Sequence, residues 1–221
     1  MNITENLKNI HRHLPAQVRL VCVSKFHPCE AIEEAYRAGE RDFGESRAQE
    51  LMQKAPQLPD DIRWHFIGPL QSNKVKYVVP IAYMIHSVEN ERLLREIDKC
   101  AAKNNRIVNV LLEVHIAQES NKHGFSTEEL LDFFAQQSWQ HYPSVHICGL
   151  MGIATLTDSK ECIRAEFHHL SELFTRVQQT FTQPYFTERS IGMSDDYEVA
   201  ITEGSTMVRI GTSIFGERLY P

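Results

Sequence analysis

The chain has 221 residues, with 29 acidic and 23 basic side chains, a formal charge of −6 and 42% apolar residues. That apolar content can offset chain entropy, which excludes a disordered polypeptide. An acidic balance without a basic stripe excludes a dedicated nucleic-acid binder, since Lys74 and Lys76 behind Asn73 are the nearest approach to a basic cluster.

No apolar run reaches the ~18 residues of a membrane span. Residues 1–14 lack the apolar core of a signal peptide. The five cysteines, Cys22, Cys29, Cys100, Cys148 and Cys162, are odd in number and contain no CxxC pair. They fit a reducing cytoplasm better than a secreted disulfide scaffold.

The spacing predicts a strand over 19–24 and a helix over 28–38, with Ile32, Ala35 and Tyr36 on one face. A short strand at 42–44 precedes a helix over 46–54 that Pro56 and Pro59 stop. Strands follow at 63–67, 82–86, 109–116, 145–149 and 207–210, with a weaker one at 189–192. Between them the pattern gives helices over 71–79, 90–103, 126–138, 159–180 and 194–203, and a short one from Thr212. Ser126 with Glu129 reads as a capping box. No Pro/Gly/Ser-rich linker divides the chain, so residues 1–221 read as one domain.

Eight strand–helix units in series imply a parallel sheet with helices outside, either open and doubly wound or closed as a (β/α)8 barrel. A compact barrel suits eight repeats at this length, and its chemistry belongs at the C-terminal strand ends.

Lys25 stands at the first such end, directly after Leu20-Val21-Cys22-Val23. A partly desolvated amine there can attack an aldehyde, although a lysine at a strand end can equally reach out to solvent. Gly211 and Thr212 follow the eighth strand, and Ser190, Gly192, Met193 and Ser194 follow the seventh. Barrels often hold phosphate between these two loops. The plainer alternative is that Ser194 caps the next helix. Arg209 lies one residue before the end of the eighth strand, suited either to an ion pair with a carboxylate such as Glu45 or to a ligand. Gly68-Pro69-Leu70-Gln71-Ser72-Asn73-Lys74 matches a P-loop in length only, and no GxGxxG, HExxH or GxSxG occurs.

Taken together, Val21-Cys22-Val23-Ser24-Lys25, Phe43-Gly44-Glu45, Trp64-His65-Phe66-Ile67-Gly68-Pro69-Leu70-Gln71-Ser72-Asn73-Lys74 and Ile85-His86-Ser87-Val88 resemble the pyridoxal-phosphate homeostasis protein family, also known as the alanine-racemase-like N-terminal-domain family. Gly149-Leu150-Met151, Ser190-Ile191-Gly192-Met193-Ser194-Asp195-Asp196 and Val208-Arg209-Ile210-Gly211-Thr212 extend the resemblance over nearly the whole chain. It departs at Ser46-Arg47, where the family usually has Asn followed by an aromatic residue.

The resemblance implies a single (β/α)8 barrel of the fold-type III kind that binds pyridoxal 5′-phosphate (PLP) as a Schiff base on Lys25. Arg209 would face the pyridine nitrogen. Ser190, Ser194, Gly211 and Thr212 would hold the phosphate, with Met193 in the same motif. The implied function is PLP (vitamin B6) homeostasis in the cytoplasm, as a carrier or regulator without strong catalysis and with PLP-dependent apoenzymes as partners. The alternatives are a weak amino-acid racemase-type enzyme and a PLP-free scaffold. A racemase of this fold carries a second domain with a catalytic tyrosine; here the barrel consumes the chain, a monomer is expected, and Tyr197 is the tyrosine to test.

Overall fold

A parallel strand flanked by helices must bury both of its faces, and eight such strands can do so by closing into a ring. The computed structural model describes residues 2–118 and 123–217 and shows that ring. Its strands are β1 (Arg19–Val23), β2 (Asp42–Glu45), β3 (Arg63–Phe66), β4 (Met84–Val88), β5 (Val108–Glu113), β6 (Val145–Met151), β7 (Glu188–Ser190) and β8 (Met207–Ile210). Each pairs in parallel with its neighbour in sequence, and β1 closes on β8 with Val21 opposite Arg209.

The helices are α1 (Ile3–His13), α2 (Cys29–Arg37), α3 (Ala48–Lys54), α4 (Val75–Val78), α5 (Glu91–Lys103), α6 (Thr127–Ala135), α7 (Lys160–Thr180), α8 (Tyr197–Thr202) and α9 (Thr212–Phe215). The capping box forms at Ser126 and Glu129, and Ser159 caps α7. The N-terminal stretch, read from sequence only as lacking a signal core, carries α1. Asn2 caps it, and Ile3, Leu7 and Ile10 are its buried face. The helix expected over 71–79 is a 3-10 turn (Ser72–Lys74) followed by the single turn α4. β4 starts two residues later than the pattern suggests, because Ala82 N–H still bonds back to Val78 O.

The larger core lies between strands and helices. α5, for example, buries Leu93, Leu94, Ile97 and Ala101, each fully buried Leu or Ile contributing roughly 1.5–3 kcal/mol. Inside the ring a small cluster of Val21, Met84, Leu111, Cys148, Met151 and Met207 fills the space. The rest of the interior is polar. Asp42, His65, His86, Ser190 and Arg209 are all buried. Among the described residues no helix is long and apolar enough to cross a membrane, and no His/Cys/Asp/Glu group is arranged to hold a metal ion.

Candidate functional site

Lys25 sits in a tight turn where β1 ends. His27 N–H bonds back to Ser24 O at 3.1 Å, and Phe26 takes the left-handed φ of 66°. A non-glycine residue holds that conformation only where its surroundings impose it. Here they do so through charge. Glu50 on α3 accepts from Phe26 N–H at 2.6 Å. The buried Lys54 ammonium spends its three protons on Ser24 O (2.9 Å), Glu45 (2.8 Å) and Glu50 (2.6 Å). Ser24 Oγ donates to Glu45 at 2.7 Å. Burial pushes the Glu45 carboxyl up, with Lys54 opposing. The turn that presents Lys25 is therefore pinned from behind by two carboxylates and an ammonium.

Of the two residues that depart from the family pattern, one packs on this turn and the other backs the loop after β3. Arg47 lays its guanidinium 4.6 Å from the Phe26 ring centroid. A Cβ at Gly68 would come within 2.4 Å of Ser46 O, so the glycine of the P-loop-like segment is required by close packing.

Lys25 shares a cavity of about 200 Å³ with Val23, His27, Ile67, Ile153, Met193, Ser194, Asp195, Arg209, Gly211 and Thr212. The loops after β7 and β8 meet here, and Gly211 N–H donates to Ser194 Oγ at 3.4 Å. Ser194 therefore links the two loops and does not cap α8, whose N-cap position is Asp196. Gly192 has φ 98°, and a Cβ there would meet Ala200 Cβ at 2.7 Å. No other residue lets this loop fold back on α8 without strain. α9 begins at Thr212, so the N–H groups of Thr212 and Ser213 have no intrahelical acceptor.

Arg209 is 4% exposed and lines the cavity. Nη1 donates to Ser190 O (2.6 Å) and Ser190 Oγ (2.7 Å), and Nη2 to Gly152 O (3.0 Å). Three of the five guanidinium protons thus have acceptors among the described residues. Burial pulls its pKa down to about 10, against the charges of Asp196 and Glu113, so it stays cationic at neutral pH. The alternative ion pair with Glu45 does not form, because Glu45 is turned to Lys54.

Lys25, Met193, Ser194, Arg209, Gly211 and Thr212 therefore come together, as the strand-end positions suggest. Ser190 does not join the lining. It is fully buried, its hydroxyl held between Arg209 and His86, whose Nδ1 lies 3.0 Å away. Of the four residues expected to hold a phosphate, Ser194, Gly211 and Thr212 line the cavity. Tyr197 lines neither this cavity nor the adjoining one of about 270 Å³, which shares Ile67 and Ile153 and carries Glu89, Glu113, His115 and His123.

Asp42, His65 and His86, to which the sequence reading assigns no role although His65 and His86 lie in matched motifs, form a buried network behind Arg209. Burial raises the Asp42 carboxyl, but hydrogen bonds and charge from Arg63 and His65 outweigh it, leaving the pKa well below the usual carboxylate range. A depressed acid stabilises the fold above its unfolded pKa, ~3.9, and loses that contribution as pH falls through the folded value. Asp42→Asn is accordingly expected to lower the unfolding free energy read from urea titrations at pH 7, and the gap from wild type should close by about 1.4 kcal/mol per pH unit below pH 4. A gap independent of pH would show that Asp42 titrates normally.

A model of the alanine racemase N-terminal domain family matches residues 1–219. The pyridoxal phosphate homeostasis protein of Aquifex aeolicus is 42% identical over 203 residues, covering 91% of this chain and 88% of that protein. Its Synechocystis counterpart is 43% identical over 209 residues, covering 93% and 94%. PipY of Synechococcus elongatus, solved without PLP, superposes with a TM-score of 0.91 at 39% identity, over 97% of this chain and 100% of that one. The same protein solved with PLP bound gives 0.88 at 37% identity and the same coverage. Alanine racemase from Streptomyces lavendulae, with a TM-score of 0.80 at 15% identity over 97% of this chain and 56% of its own, shares the fold.

Proposed function

This chain belongs to the pyridoxal phosphate homeostasis protein family, and from that membership we propose that it binds pyridoxal 5′-phosphate and serves the homeostasis of that cofactor. The observation that carries the reading is a single cavity lined at once by a lysine, a buried guanidinium and a hydroxyl-bearing turn that opens a helix. The cofactor, when bound, supplies an aldehyde that condenses reversibly with a primary amine. Lys25 is the amine that holds it covalently. Arg209 donates to its ring nitrogen. Ser194, the Gly211 backbone and Thr212 hold the phosphate, and Met193 and Ile153 wall the opening.

A guanidinium donates and does not give up its proton at neutral pH, so Arg209 cannot protonate the ring nitrogen and strengthen it as an electron sink. The racemase-type alternative also needs an acid/base opposite Lys25, a contribution of ~10²–10⁴-fold. Tyr197, the tyrosine singled out for that part, packs behind Gly192 and off the cavity wall. Both points favour a carrier or regulator over a strong catalyst. PLP-dependent apoenzymes in the cytoplasm are the recipients such a carrier would serve, and it would act as a monomer.

The experiment is titration of the purified chain with PLP, followed by visible absorbance. Thr212→Val removes one hydrogen bond to an anion, worth ~1.5–3 kcal/mol, so binding should weaken about tenfold or more. Unchanged affinity would remove Thr212 from the site, and a wild-type chain that takes up no PLP would overturn the function.

A further inference from the structure

The buried polar side chains inside the barrel form one continuous line. Arg63 donates to Asp42 from Nε (2.8 Å) and Nη2 (2.5 Å). Asp42 Oδ1 lies 2.9 Å from His65 Nε2, His65 Nδ1 lies 2.8 Å from His86 Nε2, and His86 Nδ1 lies 3.0 Å from Ser190 Oγ. Ser190 Oγ then meets Arg209 Nη1 at 2.7 Å. The line crosses the barrel from β2 and β3 to β7 and β8.

Its proton order can be deduced from the two ends. An ionised carboxylate only accepts, so His65 carries its proton on Nε2 and offers Nδ1 as acceptor. His86 must then donate from Nε2, which leaves its Nδ1 to accept the Ser190 hydroxyl proton. Ser190 is left with a lone pair facing Arg209, and a guanidinium can only donate. Every link is satisfied in this one direction. The reverse order would set an unprotonated His65 Nε2 against the Asp42 carboxylate, two acceptors 2.9 Å apart.

We propose that Asp42 and His65 are positioning residues for the cofactor site: they lock the tautomer of His86, so that Ser190 presents a lone pair to Arg209 and holds the guanidinium in place at the cavity wall. The proposal rests on Arg209 being the contact to the PLP ring, as set out above. Burial lowers the pKa of both imidazoles, which keeps them neutral at pH 7 as the order requires. The groups facing them are Asp42 on β2, Arg63 on β3, Arg19 on β1, Arg209 on β8 and the Tyr83 ring. The three arginines disfavour a positive imidazole, and Asp42 opposes them.

The test has two parts, both on the full chain. First, long-range ¹H–¹⁵N correlation spectra of the cofactor-free protein at pH 7.5 should show His65 and His86 neutral and protonated on Nε2, with His65→Asn and His86→Gln used for assignment. A protonated His86, or one bearing its proton on Nδ1, overturns the proposal whatever the protein binds. Second, PLP affinity is compared in two variants of similar bulk. His65→Leu offers no acceptor to His86 and should weaken PLP binding roughly tenfold, the loss of one charge-assisted hydrogen bond. His65→Asn places Oδ1 where Nδ1 stood and should recover most of that affinity. A role in core packing alone would penalise the polar Asn more than Leu. Equal affinity in wild type and His65→Leu overturns the relay while leaving the function intact. Failure of the wild-type chain to bind PLP strikes the function itself, and the tautomer spectra still decide the order of the relay.

Discussion

Lys25→Ala is expected to abolish the visible absorbance that wild type acquires with PLP. Lys25 is the lysine lining the cavity that holds Arg209, Ser194, Gly211 and Thr212. Lys54, which is buried where Lys25 is partly exposed, has all three protons committed to Ser24, Glu45 and Glu50. Borohydride treatment of the loaded wild-type chain should fix the cofactor to the peptide containing Lys25, as read by mass mapping. Labelling on Lys74, outside the cavity, would sink the assignment. Residual weak binding in Lys25→Ala is compatible with it, because the contacts to Arg209 and to the anion turn survive. The same samples, incubated with L-amino acids in heavy water, should show at most slow α-deuterium uptake. Multiple-turnover racemisation that Lys25→Ala removes would make the protein an enzyme.

The second large effect is expected at Lys54. Lys54→Met keeps the apolar stem and removes the ammonium, leaving Glu45, which is fully buried, without its cation. Glu45 Oε2 already has no hydrogen-bond partner among the described residues. Removing one member of a buried ion pair costs ~3–5 kcal/mol, a large share of a total stability of roughly 5–15 kcal/mol. The sign of the pH dependence follows from Glu45. Its folded pKa, pushed up by burial, rises further without Lys54. A raised acid binds its proton more tightly in the folded state, so stability falls as pH rises from the unfolded value, ~4.3, to the folded one. The variant should therefore be more destabilised at pH 8 than at pH 6. Lys54→Met combined with Glu45→Gln should regain part of the loss by removing the stranded charge. Urea midpoints at the two pH values decide this. A Lys54→Met protein as stable as wild type at pH 8 would show that the cluster is not an energetic support for the Lys25 turn.

Much of this architecture is legible in the residues alone. The alternation of strand and helix patterns carries the eight units, and the capping box at Ser126 sits where the sequence puts it, because it is a local signal read within one turn of helix. Lys25 after an apolar run and Gly211-Thr212 after the eighth strand are equally local, and strand-end position is enough to bring them to one mouth. α1 was also open to view, since Ile3, Leu7 and Ile10 have helical spacing.

Tertiary structure alone decided the rest. In a closed parallel barrel both faces of every strand are buried, so hydrophobic alternation cannot tell the inside from the helix-facing side. That choice sends Asp42 inward to His65 and Glu45 outward to Lys54, although they stand three residues apart on one strand. It also draws Ser190 off the cavity wall and under Arg209. His86 and Ser190 meet across 104 positions of chain, and Arg209 reaches Gly152 across 57. Contacts of that span are set by strand register and ring closure, which the sequence determines only through the whole fold. The sequence by itself determined which residues reach the mouth of the barrel; the closed ring decided which of them face the cavity and which hold the others in place.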